Sequence, residues 1–294
     1  MRHHLIQRYN RLISLSLLAI MLLTATAATA RKPLADKMKP EEVIAKHLDS
    51  IGTAEARAAA RNRIINGAAT LTGRQGIKGI AEGRALMASE GNKHLIAMTF
   101  NSPDIPEEKW AYNGKKLTTA LQRASSTPSP LAQYWLGNEF FFTEGVIGGT
   151  LSAAWPLLDF TDKRAKLEYA GTDKINGRLA HKIKYTPRKG SSYKINMYFD
   201  AENFQHLRTQ YDRSVAATMG ATPMQSGGQL ETRFRVTEDF SDFKAENGLT
   251  LPHTYKLELQ IQSGSSPILL DWVFNLTQFT FNQTMTEKDF EIAR

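Results

Sequence analysis

The stretch LETRFRVTEDFSDFKAENGLTLPHTYKLELQIQ, residues 230–262, decides the fold class. It holds two long strand-like runs separated by the pair Asn247-Gly248. In the first run Phe234 lies between two arginines, and this alternation is typical of a half-buried strand. Asn-Gly is the preferred two-residue hairpin turn because both of its positions need φ > 0. The stretch therefore predicts two antiparallel strands, Leu230–Phe243 and Leu249–Gln262, joined by a tight turn.

The same pattern continues along most of the chain. Asn113-Gly114 and Asn176-Gly177 are further hairpin turns, with alternating segments on either side of each. About ten strands result, and tight turns make neighbouring strands antiparallel. An open sheet of that size must curl, close or be covered. The sequence therefore predicts an α+β protein, mainly β, built on a large curved antiparallel sheet with short helices on its concave face.

Residues 124–160 interrupt the strand pattern. This segment is strongly apolar, and it is broken by glycines and Pro156. We predict that it forms two short helices and a turn that lie against one face of the sheet. A further helix is predicted over Pro40–Gly52, because proline suits a first helical position and glycine a helix end. A capping-box pattern over Thr284–Glu287 predicts one short final helix.

The first thirty residues have the pattern of a signal peptide. Three arginines flank the start of the apolar run Leu12–Leu23, and Ala28-Thr29-Ala30 is a small-residue cleavage site. The run is too short for a membrane span, which needs roughly twenty residues, although a short anchor is the alternative interpretation. We expect cleavage after Ala30, a flexible leader over 31–39, a single domain over 40–294 and a periplasmic location.

Composition excludes several kinds of site. The chain has 294 residues, a formal net charge of +8 and no cysteine. It therefore has no disulfide, zinc-thiolate site, thiol nucleophile or lipidated N-terminal cysteine. The moderate positive charge gives no case for nucleic acid as a partner. Hydrolase, nucleotide-binding and zinc-protease motifs are lacking. We expect no enzyme activity, no cofactor, no metal and no transmembrane anchor after cleavage.

A few polar residues are weaker candidates for a site. Five histidines follow residue 30, but they are far apart, which favours strand-surface positions over a metal site. Glu107 and Glu108 lie in a proline-flanked segment that we interpret as a solvated loop. Glu238, Asp239 and Asp242 lie near a strand end, where calcium is one option. Without EF-hand spacing, a surface acidic patch is the favoured interpretation.

Large apolar residues supply the functional hypothesis. In the simpler interpretation, the apolar face of the sheet packs shut against its helical cover. In the other, the cover leaves a cavity that binds lipid tails, at about 25 cal/mol per Å² of buried apolar area. Glycines and Pro156 would let such a cover move. The predicted lipid-binding residues are Trp135, Phe141, Ile147, Leu151, Trp155 and Leu158 from the cover, with Met197, Phe199, Phe234 and Leu257 from the sheet.

Three segments resemble the LolA/LolB-like superfamily of periplasmic carriers. Tyr198–Arg208, with the sequence YFDAENFQHLR, is similar to the family's hairpin of a strand, an aspartate turn and a strand. Phe240–Lys244 followed by Asn247–Pro252 is similar to the start of a strand pair that crosses the sheet. The ending Phe279–Asn282 with Asp289-Phe290 resembles the last strand and closing helix.

The resemblance implies an unclosed β-barrel with a helical lid over a hydrophobic cavity. It also implies binding of lipid or lipoprotein acyl chains in the periplasm, together with envelope protein partners. Because the chain has no cysteine, it resembles the soluble LolA type rather than the anchored LolB type. Two alternatives remain at this point, an envelope structural or interaction module with a filled barrel, and a hydrolase that acts on envelope material.

Overall fold

Alternating polar and apolar residues form strands along most of the chain. The structure, a computed structural model, describes residues 38–103, 107–120, 128–217, 231–264 and 266–292. The predicted signal peptide and most of the predicted leader lie outside the described residues. The described strands are β1 (Asn62–Gln75), β2 (Gly79–Glu90), β3 (Lys93–Phe100), β4 (Glu107–Tyr112), β5 (Leu117–Thr119), β6 (Lys166–Ile175), β7 (Arg178–Thr186), β8 (Lys194–Asp200), β9 (His206–Val215), β10 (Thr232–Glu246), β11 (Leu249–Ser263) and β12 (Ser266–Phe281).

These strands form one twelve-stranded sheet in the order β5-β4-β3-β2-β1-β12-β11-β10-β9-β8-β7-β6. Every neighbouring pair is antiparallel. The chain thus makes two meanders, β1–β5 and β6–β12, which are joined where β1 pairs with β12. Within the described residues β5 and β6 each pair on one side only, so the barrel is not closed. The predicted unclosed antiparallel sheet is confirmed.

Two of the three Asn-Gly turns have the backbone that a two-residue hairpin requires. At Asn176-Gly177 the φ angles are 49° and 85°, and at Asn247-Gly248 they are 50° and 80°. At the third turn Gly114 has a φ of 91°, but Asn113 does not have positive φ. There the Asn113 side chain accepts hydrogen bonds from the backbone N–H groups of the next two lysines.

Helices lie before, between and after the two meanders. They are α1 (Pro40–Ile51), α2 (Ala54–Ala59), α3 (Pro130–Leu136), α4 (Phe140–Thr143) and α5 (Phe160–Lys163), with 3-10 turns at Gly149–Leu151, Pro156–Asp159 and Glu287–Phe290. The last turn is capped by Thr286 and Asp289, two residues beyond the predicted Thr284–Glu287 pattern. None of the helices described is long and apolar enough to span a membrane.

The concave face of the sheet holds the core, and α1 covers one end of it. The buried face of α1 packs on β11 and β6. Gly52 at the end of α1 approaches the β10–β11 turn so closely that a Cβ there would lie 2.6 Å from the Gly248 carbonyl oxygen. Only glycine avoids this contact. The β1–β2 and β11–β12 turns lie at the opposite end of the sheet, because Gly73 pairs with both Gly79 and Leu270.

Candidate functional site

The chain between β5 and β6 connects the two edges of the sheet, and its inward side chains are buried. We call residues 128–163 the covering segment. It contains α3, α4, α5 and two 3-10 turns, which confirms the predicted short helices. Trp135 on α3 is fully buried, and its ring centroid lies 5.1 Å from that of Phe141 and 6.1 Å from that of Trp110 on β4. The covering segment therefore packs into the concave face.

The structure brings most of the predicted lipid-binding residues together in this packed interior. Eight of the ten expose 2% of their surface or less, namely Trp135, Phe141, Ile147, Leu151, Trp155, Met197, Phe199 and Leu257. Leu158 and Phe234 are half-buried. The gap beside Ile147 and Leu151 measures only about 10 Å³. These residues fill the interior in this conformation, and their contact with lipid stays a prediction.

An apolar cavity of about 260 Å³ lies at the end of the sheet away from α1. Its walls include Leu71, Ala81 and Trp272 from β1, β2 and β12. Its mouth includes Ile77 and Ile80, whose side chains are 39% and 72% exposed. This cavity could not be predicted from the large apolar residues in the middle of strands and helices. The cavity is built instead at strand ends, where small and large residues alternate.

Glu108 lies in the wall of this cavity and is 3% exposed. The Ser129 hydroxyl donates a hydrogen bond to its Oε1, and the Trp272 Nε1–H donates to its Oε2 at 2.9 Å. Burial raises the pKa of Glu108 to about 7, against the opposing effect of these two donors. The predicted solvated loop is wrong for this residue. Strand alternation turns Glu107 outward and Glu108 inward, onto the same face as Trp110.

Glu238 is a second fully buried acid, in the packed interior. Its Oε1 accepts hydrogen bonds from the Gly148 N–H and the Tyr255 hydroxyl, each at 2.7 Å. The Tyr211 hydroxyl oxygen lies 2.7 Å from both Glu238 Oε2 and the Val146 carbonyl oxygen. Burial raises the pKa of Glu238 to about 7.

The hydrogen bonds around Glu238 can all form at the same time only if the acid carries a proton. A hydroxyl group has one proton, so Tyr211 cannot donate to both neighbouring oxygens at once. A protonated Glu238 donates from Oε2 to Tyr211, which then donates to the Val146 carbonyl oxygen 2.7 Å away. Every polar atom in this group then has a partner. Glu238 thereby holds the covering segment at Val146 and Gly148.

The predicted acidic patch does not form as one cluster. Strand alternation sends Glu238 inward and Asp239 to the opposite face, where Asp239 accepts a hydrogen bond from Arg208 at 2.6 Å. Asp242 pairs instead with Lys244 at 2.8 Å. Across the described ranges, no group of three acidic or histidine side chains is placed to hold a metal ion. The surface-patch interpretation is therefore wrong for Glu238.

The five histidines that follow residue 30 are buried, not on the strand surface as expected. Burial lowers the pKa of His47 and of His94 to about 4, so both are neutral at pH 7. His94 Nδ1 lies 3.1 Å from the Ser152 hydroxyl of the covering segment. The ring of His206 stacks on that of Trp155 at 4.8 Å. His94 and His206 thus belong to the contact between the sheet and the covering segment.

A buried arginine completes this contact. Arg63 on β1 is 2% exposed, and its guanidinium donates a hydrogen bond to the Thr150 carbonyl oxygen. Burial lowers the pKa of Arg63 to about 10, which keeps it cationic at neutral pH. Gly149, beside Thr150, has a φ of 49°, and a Cβ there would lie 2.8 Å from His206 Nδ1. This glycine serves close packing, and the movement of the covering segment stays a prediction.

A second, larger cavity of about 670 Å³ lies across β8–β11 at the same end of the sheet as the apolar one. It is lined mainly by polar and charged side chains, including Lys194, Arg213 and Arg235. Arg235 is paired with Asp212 at 2.6 Å. Phe234, one of the predicted lipid-binding residues, lies in this polar cavity rather than in the apolar one.

No protein-family model matches the chain, and no curated protein matches it. Solved structures that are similar to it include a LolA superfamily protein from Nitrosomonas europaea, with 12% identity and a TM-score of 0.42 over 87% of this chain and 98% of that one. A domain assigned to outer membrane lipoprotein sorting, from Vibrio parahaemolyticus, has 13% identity and a TM-score of 0.41 over 86% and 97%. A DUF1329 family protein from Desulfovibrio piger has 9% identity and a TM-score of 0.42 over 86% and 98%. A LolA superfamily protein is thus among the solved structures that are similar to this chain.

Proposed function

We propose that this protein is a non-enzymatic carrier that binds a hydrocarbon chain of an envelope lipid or lipoprotein. The apolar cavity of about 260 Å³ beneath Ile77 and Ile80 is the observation that supports the proposal. A hydrocarbon chain needs no catalytic residue to bind, because each buried methylene contributes about 0.8 kcal/mol. We assign the carrier to the periplasm from the signal-peptide pattern over residues 1–30.

A chain longer than the cavity requires the covering segment to move. The packed interior below the cavity is filled by Trp135, Phe141 and their neighbours. Two of the hydrogen bonds that link the covering segment to the sheet are donated by the Gly148 N–H to Glu238 and by the Arg63 guanidinium to the Thr150 carbonyl oxygen. We propose that the cavity takes the first part of the chain and that the covering segment is displaced as the rest enters.

The test is to fill the cavity from within. Ala81 is buried and lines the cavity, so Ala81→Phe places a ring where the chain would lie. We expect the native protein to bind 1-octanol in ligand-observed NMR and to carry lipid in native mass spectrometry after purification from a bacterial envelope. Ala81→Phe is expected to lose both signals.

Leu179→Phe is the matched control, because Leu179 is 51% exposed and lies on β7, away from the cavity. We expect this variant to bind 1-octanol like the native protein. A native protein that neither takes up 1-octanol nor carries lipid would refute the carrier proposal. Equal binding by the native protein and Ala81→Phe would refute the assignment of this cavity.

The second candidate is an envelope interaction module with a permanently filled barrel. The observation in its favour is the packing of the interior, where Trp155 is 1% exposed and stacks on His206. In this case the covering segment is part of the core and never leaves it. Envelope proteins, rather than lipids, would then be the partners. Lipid-free purified protein without 1-octanol uptake would support the module over the carrier.

A further inference from the structure

The apolar cavity contains a carboxyl group that a simple hydrocarbon site does not require. Glu108 lies in its wall together with Ser129 and Trp272, and all three are buried. At the mouth, by contrast, Ile80 is 72% exposed. The cavity therefore runs from an exposed apolar mouth to a buried polar end. We call this end, formed by Glu108, Ser129 and Trp272, the floor of the cavity.

The hydrogen bonds at this floor leave Glu108 with unused acceptor capacity. Each carboxylate oxygen has two lone pairs, and each accepts one hydrogen bond, from Ser129 or from Trp272. A ligand group that donates a hydrogen bond adds a partner to the carboxylate. A ligand carboxylate adds a second negative charge beside a buried carboxylate, which is unfavourable.

The other charged side chains near the cavity leave Glu108 as the charge at its floor. Among the described residues that line it, Lys78 is the other charged side chain, in the exposed turn at the mouth. Glu107 and Lys109 flank Glu108 in sequence, but they pair with each other. Glu108 is thus the charged side chain at the buried end of the cavity.

The size of the cavity limits the length of the ligand. A volume of about 260 Å³ is slightly below the roughly 300–1,000 Å³ of most small-molecule sites. It corresponds to about nine water molecules at roughly 30 Å³ each. A short alkyl chain fills such a space in the present conformation.

We propose that the cavity binds a short alkyl chain whose inner end is a hydrogen-bond donor without negative charge, such as a hydroxyl or an amine. This rests on the apolar cavity of the proposed function, but it concerns a short free ligand that enters with its polar end first, distinct from the acyl chain of a lipid. The polar end meets Glu108 on the cavity floor, and the alkyl part lies along Leu71 and Ala81. Chains that end in a carboxylate are rejected.

The experiment compares three ligands of equal chain length. Octylamine, 1-octanol and octanoate are titrated at pH 8 into the full-length purified protein, with isothermal calorimetry as the readout. A hydrogen bond to a charged group supports a preference for octylamine over octanoate of about tenfold or more. We expect Glu108→Gln to reduce this ratio to about twofold or less, since the charge at the floor is removed.

Glu107→Gln is the matched control, because it removes the same charge from the neighbouring residue on the opposite face of β4. It should keep the native preference. Equal binding of the three ligands by the native protein, or a preference for octanoate, would overturn the head-group proposal and leave the cavity function standing. Failure of all three to bind would overturn both.

A pH series on the native protein keeps the test valid if Glu108→Gln does not fold. Burial raises the pKa of Glu108 to about 7, so the carboxylate form increases between pH 6 and pH 8. Octylamine should bind more tightly as the pH rises across this range, and octanoate more weakly. A flat response for both ligands would contradict a role for Glu108 in ligand choice.

Discussion

Glu108 and Glu238 are the same residue type, both are buried under the covering segment, and burial raises the pKa of each to about 7. Their surroundings differ. Glu108 has two donors and empty space beside it. Glu238 has a packed set of partners that is complete only when it carries a proton. Burial alone therefore does not reveal what an acid does, whereas counting the donors around it separates a binding group from a structural one.

The largest effect is expected from removing a large side chain from the packed interior. Trp155→Ala should lower the free energy of unfolding by about 3–5 kcal/mol, the usual cost of removing a buried tryptophan. Leu158→Ala is the control, since Leu158 is only half-buried. Urea denaturation measures both. If the cavity works independently of the packed side, folded Trp155→Ala still binds 1-octanol. A loss below about 1 kcal/mol would mean that the interior is not tightly packed.

A smaller effect is expected from the proton on Glu238. Its pKa is about 7 in the folded chain against an ordinary 4.5. Between these values the folded state holds a proton that the unfolded state has released, so stability falls as the pH rises from 4.5 to 7. Glu238→Gln has no such proton. Its free energy of unfolding relative to the native protein should rise by about 2 kcal/mol from pH 5 to pH 8.

The histidines do not alter this difference in the free energy of unfolding between Glu238→Gln and the native protein. The pKa values of His47 and His94 are lowered to about 4, so their contribution is lost as the pH falls below their ordinary 6.5. That change has the opposite direction, and it cancels because both proteins contain these histidines. Urea unfolding at several pH values gives the difference directly. A difference that stays constant with pH would show that Glu238 is not held as a neutral acid.

The smallest effect is expected from placing a larger side chain in the apolar cavity. Ala81→Phe should change the free energy of unfolding by about 0.5 kcal/mol or less, because the ring enters empty space. Ala85, two inward positions further along β2, is 5% exposed and is not among the residues that line the cavity. Ala85→Phe should therefore lose about 1–3 kcal/mol. Equal losses in thermal or urea unfolding would mean that the cavity is not present in solution.

Much of the fold could be predicted from local chemistry. The Asn-Gly turns and the alternation beside them depend only on neighbouring residues, and they predicted the sheet. The aspartate turn is a similar case, since Asp200 Oδ1 accepts hydrogen bonds from the Glu202 and Asn203 N–H groups at 2.9 Å and 3.0 Å. The proline start of α1 was also predicted. Each of these features is complete within a few residues of chain.

The candidate site depends on partners that are distant in sequence, and local patterns do not predict it. Glu108 is buried because Trp272, 164 residues away, donates to it. Glu238 is buried because Gly148 and two tyrosines reach it from other elements. One local signal was present, since Glu108 is two residues before Trp110 and shares its face of the strand. Polar residues were assigned to the surface because their partners cannot be seen from spacing alone.

The pairing of β1 with β12 has a consequence for how the molecule is assembled. These strands are the first and last of the sheet in chain order, yet they pair with each other as its fifth and sixth strands. A ribosome makes β12 after all other strands, so the two meanders stay separate until its residues appear. Contacts this far apart in sequence also form slowly. A nascent chain that ends before Ser266 therefore lacks the seam that joins the two halves of its sheet.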